Sequence, residues 1–264
     1  MLEARRNSGP RAAPAAGAPA LLRVAWLAAA AAVAHACTPD DMGGPPEIEV
    51  VSAEDQGTIQ AGPLVNGRDG GYSALFQGRS VWLFGDTIIS VENRYGVMWD
   101  HNSWSWTAAL DATDGITGLA EPLDEAGAPA EFFPQTAEER AYNLAHFEER
   151  TEEPLGGRMA VWPGAIVVDE ERGRALVFYF EIRARPGAFA FEAIGSSLAV
   201  WTDFDAGPVR GELGADPDHP TLLFVAGRDP LFGSAALVDG GMLYAYSSQG
   251  DGERKPVRIA RAPL

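Results

Sequence analysis

The chain has 264 residues, 46% of them hydrophobic, with 30 Gly, 19 Pro and a single Cys. Its formal charge of −17 repels nucleic acid and anionic lipid headgroups, which excludes both as electrostatic partners. One cysteine rules out an internal disulfide, and the abundance of turn formers points to β structure rather than a helix bundle.

Residues 1–36 read as a secretory signal. Arg5, Arg6, Arg11 and Arg23 precede the apolar run Val24 to Ala34, which is too short to span a bilayer permanently. The stretch Val33-Ala34-His35-Ala36-Cys37 resembles a bacterial lipobox, with His35 where a small residue is usual. Cys37 is therefore expected to carry a lipid and become the new N-terminus, so that the membrane is met only through that anchor. Residues 37–46, rich in Pro and Gly, read as a flexible tether, and 47–264 as the folded domain. Without residues 1–36 the remainder carries a charge of about −20.

A unit then recurs. "YSALFQGRSVWLFGD" (72–86), "WPGAIVVDEERGRALVFYFEI" (162–182) and "DPLFGSAALVDGGMLYAYSS" (229–248) each read as strand, glycine turn, strand. A further strand follows each hairpin: "NSWSWTAAL" (102–110), "SSLAVWTD" (196–203) and "PVRIARAPL" (256–264). The second unit continues into "TLLFVAG" (221–227). Antiparallel strands repeated in this order describe propeller blades rather than a sandwich. At this spacing the chain accommodates about three blades, whereas closure takes at least four; an open arc, lacking its C-terminal blades, is expected. Between the first two units, Thr136 followed by Glu139 forms a capping box that predicts one inserted helix, with Leu144 and Phe147 on a shared face.

The string Gly67 to Thr87, with Asp-Gly-Gly-Tyr-Ser and Trp-Leu-Phe-Gly-Asp-Thr, resembles a bacterial domain family long catalogued without a function. The likeness continues at "HNSWSWT", "WPGAIVVD", "EAIGSSLAVW" and "VRIARAPL", over roughly residues 60–264. Members of that family look like five-bladed β-propellers related to arabinanases and levansucrases, and some hydrolyse arabinan internally. The resemblance implies an all-β fold of the five-bladed propeller type, incomplete here, and an acidic residue on the innermost strand at the position of Asp69.

Strand direction places the start of each first strand and the end of each second strand on one side of a blade. Asp69, Asp86, His101, Asn102, Trp162, Glu181 and Asp229 are thus expected to face one mouth. Glycoside hydrolysis needs one protonated and one ionised carboxyl group. Asp69 and Asp86 are the first pair, with Glu181 and Asp229 as reserve candidates for the acid. His101 and Asn102 are candidates to bind substrate, and Trp162 with Pro163 to form a platform for a sugar ring. An aspartate before Gly-Gly or at a strand end can also serve turn amides alone. His101, His146 and His219 show no ligand spacing, so no metal is expected. No cofactor motif appears, and no Gly-x-Ser-x-Gly elbow or phosphate loop. The expected activity is hydrolysis of an arabinan-like or other furanose polysaccharide. The alternative is a surface propeller that binds glycan or protein without catalysis.

Overall fold

The computed structural model describes residues 49–113, 115–147, 158–184, 190–214, 216–248 and 255–264. The expected signal segment, Cys37 and the expected tether lie outside them. The chain divides into two compact units, Met1–Glu54 and Asp55–Leu264. Residues 49–54 of the first carry no regular structure. Every strand and helix described below belongs to the second.

Three of its antiparallel sheets are blades, each laid down in sequence order from an inner strand outward. The first comprises β2 (Tyr72–Phe76), β3 (Arg79–Phe84) and β6 (Ser103–Thr107). The second comprises β7 (Arg158–Asp169), β8 (Arg174–Ala184), β9 (Phe191–Trp201) and β10 (Phe224–Val225). The third comprises β11 (Ala235–Asp239), β12 (Met242–Ser248) and β13 (Val257–Pro263). Inner strand β7 lies beside β2 on one side and β11 on the other. None of the sheets closes on itself. The protein is all-β, an open propeller-like arc with one α-helix among the described residues.

Turn chemistry fixes the hairpins. Gln77 and Gly78 both have positive φ (47° and 76°), as the two-residue turn that matches strand twist requires. The strain at Gln77 is offset by its side chain, whose Nε2 donates to Thr202 O at 2.9 Å and ties the first blade to the second. Gly240 and Gly241 (φ 54° and 74°) perform the same turn in the third blade. Gly233 (φ 120°) is needed for space as well, since a Cβ there would lie 2.6 Å from Phe178 Cβ.

Two apolar clusters fill the wedges between blades. Phe76, Val81, Leu83, Val177, Tyr179, Trp201 and Phe204 join the first and second. Val167, Leu176, Phe178, Phe232 and Leu243 join the second and third. The outer strand β13 is exposed along nearly its whole length, with Val257 and Ile259 uncovered.

Two features depart from the sequence reading. A fourth sheet exists, built from β1 (Val65–Arg68), β4 (Thr87–Ile89) and β5 (Trp99–Asp100). The insertion after β6 also carries more than the inserted helix. It delivers Phe132 and Phe133, both essentially buried, into the core between the first two blades.

The helix α1 (Ala137–Phe147) begins at the expected capping box: Glu139 N donates to Thr136 Oγ1 at 3.2 Å, and Thr136 N to Glu139 Oε2 at 2.8 Å. Leu144 is 60% exposed, so no apolar stripe through it holds the helix. Polar bonds do: Asn143 Nδ2 donates to Met159 O at 2.9 Å and Asn143 Oδ1 accepts from Met159 N at 2.7 Å. No described helix is long and apolar enough to cross a membrane.

Candidate active site

Asp69 and Asp86 stand where the β2–β3 hairpin runs on into the β1–β4 ladder. The sequence suggests that both strands stop at the aspartates; in the structure the pairing continues past them. Asp69 N donates to Asp86 O at 3.0 Å, and Gly85 N to Asp69 O at 2.9 Å, so the two residues are locked side by side by their backbones. Beyond them Arg68 pairs with Thr87. The carboxyl groups are therefore not consumed by these turn amides, which are served by main-chain carbonyls.

Both side chains line one open cleft of about 870 Å³. Ile88, Met98 and Trp99 form an apolar flank of this cleft, and Arg68, Glu92 and Arg158 its charged wall. Ile88 and Met98 are exposed (55% and 58%), which leaves the flank open to a ligand. Arg68 is held by Glu121 at 2.5 Å and lies over the Phe84 ring at 4.2 Å. Arg158 lies 4.3 Å over Trp99.

Electrostatics distinguish the pair. Burial pushes the Asp86 carboxyl up to about 6; the Trp162 hydrogen bond pulls it back, and the charge of Asp69 raises it further. Asp69 is also raised by burial, with the Asp86 backbone acting against it. The bond from Trp162 runs from its Nε1 to Asp86 Oδ1, at 3.0 Å.

Asp69 depends on a missing side chain. A Cβ on Gly85 would lie 2.7 Å from Asp69 Oδ1. Because the obstructing atom ends a short mobile side chain, Gly85→Ala should cost only about 1 kcal/mol of stability while swinging the Asp69 carboxylate away from Asp86. The Asp86 midpoint, followed by carboxyl-carbon NMR, should then fall. An unchanged midpoint would show that Asp69 does not act on Asp86 through its charge.

The other residues expected at this mouth do not line the cleft. His101 and Asn102 are 1% and 0% exposed, which denies a substrate access to them. They clasp the second blade and the insertion after β6: Val161 N donates to His101 Nδ1 at 2.9 Å, Asn102 Nδ2 to Val161 O at 3.0 Å, and Phe133 N to Asn102 Oδ1 at 2.9 Å. With Nδ1 accepting, we assign the imidazole proton to Nε2, 2.9 Å from Glu131 Oε1. Glu131 is held down to about 2; burial opposes this, and His101, Gln135 and Arg94 outweigh it. The neighbouring Asp100 is pushed up to about 7 by burial, against its bond from Asn93 and aided by Glu131.

Glu181 lines a separate cavity of about 570 Å³, with Glu139, Arg183 and Arg210. Burial and then the Glu139 charge lift it to about 7, although Arg210 stands 3.8 Å away. Asp229 lines neither cavity. Its carboxylate accepts from Val225 N and from Arg228 Nε, each at 3.0 Å, and is thereby lowered. Trp162 meets the site through its N–H and is not among the residues lining the cleft. Among the described residues no group of three or more His, Cys, Asp or Glu could hold a metal ion.

The residues that sequence reasoning missed are Trp99, Arg158 and Glu131. Trp99 lies on a two-residue strand and Arg158 precedes the Trp162–Asp169 motif of its blade, so neither carried a local signal.

The arrangement defines an all-β protein with a two-carboxylate cleft at the edge of its first blade. No protein-family model and no curated protein matches the sequence. The chain is similar to the solved structure of a "putative hydrolase" from Bacteroides ovatus, at 16% identity and a TM-score of 0.42. The match covers 75% of this chain and spans about half (48%) of the length of that protein. The likeness is to a hydrolase at most, and at that TM-score it carries no argument about chemistry.

Proposed function

We propose that this protein is a glycoside hydrolase acting on a furanose polysaccharide of the arabinan kind, with Asp86 as the general acid and Asp69 as the ionised partner. The observation that supports this reading is the pairing of Asp69 and Asp86 across neighbouring strands in one open cleft, with only Asp86 lifted to about 6. The apolar flank of Ile88, Met98 and Trp99 suits the carbon face of a sugar ring, and Arg68 and Arg158 suit its hydroxyls. The test is incubation of the purified protein with a panel of arabinans and other polysaccharides, reading the release of reducing ends. Retention of a glycan on the protein with no reducing ends released would favour the non-catalytic binding reading instead.

We further propose that the protein is exported and anchored at Cys37. In a bacterial host the full chain should partition into detergent, and Cys37→Ser should move it to the soluble fraction. The same distribution for both would sink the lipoprotein assignment.

A further inference from the structure

We propose that Trp162 is a positioning residue for Asp86: its indole N–H pins Oδ1 and leaves Oδ2 as the oxygen that delivers the proton into the cleft. This rests on the reading of Asp69 and Asp86 as the catalytic pair, and it alters the role that sequence suggests for Trp162. Trp162 lies on inner strand β7, half-buried, its ring in edge contact with Phe191 at 5.1 Å and 73°. From there its Nε1 reaches 3.0 Å to Asp86 Oδ1, across 76 residues of sequence and from one blade to the next. It lines no part of the 870 Å³ cleft, so it is not placed there as a stacking platform.

An indole N–H only donates, so the oxygen it meets must remain an acceptor whether Asp86 is charged or neutral. In a neutral carboxyl the carbonyl oxygen is the stronger acceptor, so a protonated Asp86 carries its proton on Oδ2. Among the described residues that oxygen has no hydrogen-bond partner, and it is not one of the buried unpartnered polar atoms, so solvent or a ligand can reach it. In the step so poised, the Oδ2–H proton passes to the glycosidic oxygen as the C–O bond breaks, and the bonding electron pair stays on that oxygen. The leaving sugar departs as an alcohol. The anomeric carbon takes its new bond either from the Asp69 carboxylate or from a water that gives up a proton to that carboxylate, and Asp86 is left as a carboxylate that still accepts from Trp162. The bond strengthens as charge develops on Asp86, where preorganised donors are most effective. The other charged or titratable groups that bear on Asp86 are Asp69, His101 and Arg158, with Arg68 and Glu92 further along the same cleft.

The experiment needs no substrate to begin. In the unaltered protein, the Trp162 Nε1–H resonance should shift with pH around a midpoint near that of the Asp86 carboxyl, about 6, and Asp86→Asn should abolish the shift. Trp162→Phe keeps the ring beside Phe191 and removes the donor; the Asp86 midpoint, read by carboxyl-carbon NMR, should rise by about one pH unit. On a polysaccharide that the protein cleaves, Trp162→Phe should lower kcat roughly 10- to 100-fold with KM little changed. A raised KM with unchanged kcat would make Trp162 a sugar platform and overturn the proposal. So would an indole resonance indifferent to Asp86, which can be read even if the phenylalanine variant fails to fold. Linked titrations without cleavage of any glycan would remove the enzymatic reading and the proton delivery while leaving the pinning of Oδ1 in place.

Discussion

Replacing Arg210 with methionine should lower stability by about 3–5 kcal/mol near pH 8, a loss typical of one partner removed from a buried ion pair. The side chains of Arg210 and Glu139 are 6% and 7% exposed. They meet in a two-pronged contact, Nη2 to Oε1 at 2.6 Å and Nη1 to Oε2 at 2.9 Å. Arg210 also lies 5.0 Å from the Tyr179 ring centroid and is the nearest counter-charge to Glu181. Its removal would leave two buried carboxyl groups facing each other. Burial alone would raise Glu139, but the bonds and charge of Arg210 hold it below its usual range. Its contribution to stability is therefore present above about pH 4.5 and lost as pH falls through the lowered midpoint. Glu181, raised to about 7, behaves oppositely: its contribution is present below about pH 4.5 and lost as pH rises through 7. Without Arg210 both groups belong to the second kind, so the deficit of the variant should be largest at pH 8 and shrink toward pH 5. Urea unfolding at the two pH values measures this, and equal deficits would show that the pair is not electrostatically important. Arg210→Met combined with Glu139→Gln should recover part of the loss, because no unpaired charge then remains at Glu139.

Asp86→Asn should cut reducing-end release by roughly 10²- to 10⁴-fold, the range that a positioned general acid supplies, and the fold should survive. The amide oxygen can still accept from Trp162, so the contact that orients residue 86 remains available. Activity of the unaltered protein should fall as pH rises through about 6, since the acid must hold its proton. Because burial makes the charged form of Asp86 costly, the folded state loses stability as pH climbs from about 4 through about 6. The asparagine variant lacks that loss and should melt no lower than the parent at pH 8. A variant that is inactive yet equally or more stable is the pattern expected of a strained catalytic group. Asp69→Asn should be comparably inactive. Retained turnover in either variant would exclude the pair as the catalytic groups.

The blades were legible because their signals are local. Alternating or continuous apolar runs bounded by glycines define β2–β3, β7–β8 and β11–β12, and the positive φ at Gly78, Gly240 and Gly241 is what their turns require. The Thr136–Glu139 capping box is likewise a three-residue relation, and the structure forms it. The small sheet of β1, β4 and β5 was not legible, since strands of two to four residues are too short to display a period. Phe132 and Phe133 lie in a stretch without periodicity, so only the packing between blades reveals them as core.

The candidate site divides along the same line. That Asp69 and Asp86 come together follows from one hairpin, whose pairing brings residues on its two arms side by side. That Glu181 and Asp229 do not join them could not be read from strand direction. Direction decides at which end of a blade a residue lies, but the face on which a side chain emerges, and what waits for it there, depends on tertiary neighbours. Glu181 is taken by a cavity in which Arg210, 29 residues further on, stands 3.8 Å from it, and Asp229 by Arg228 and the backbone amide of Val225 in β10. Sequence alone determined the blade hairpins and the pairing of the two aspartates, because each rests on contacts within one hairpin. The tertiary structure decided that the Asp86 carboxyl is lifted to about 6, because its burial by other segments of the chain outweighs the Trp162 hydrogen bond and the Arg158 charge that act against it.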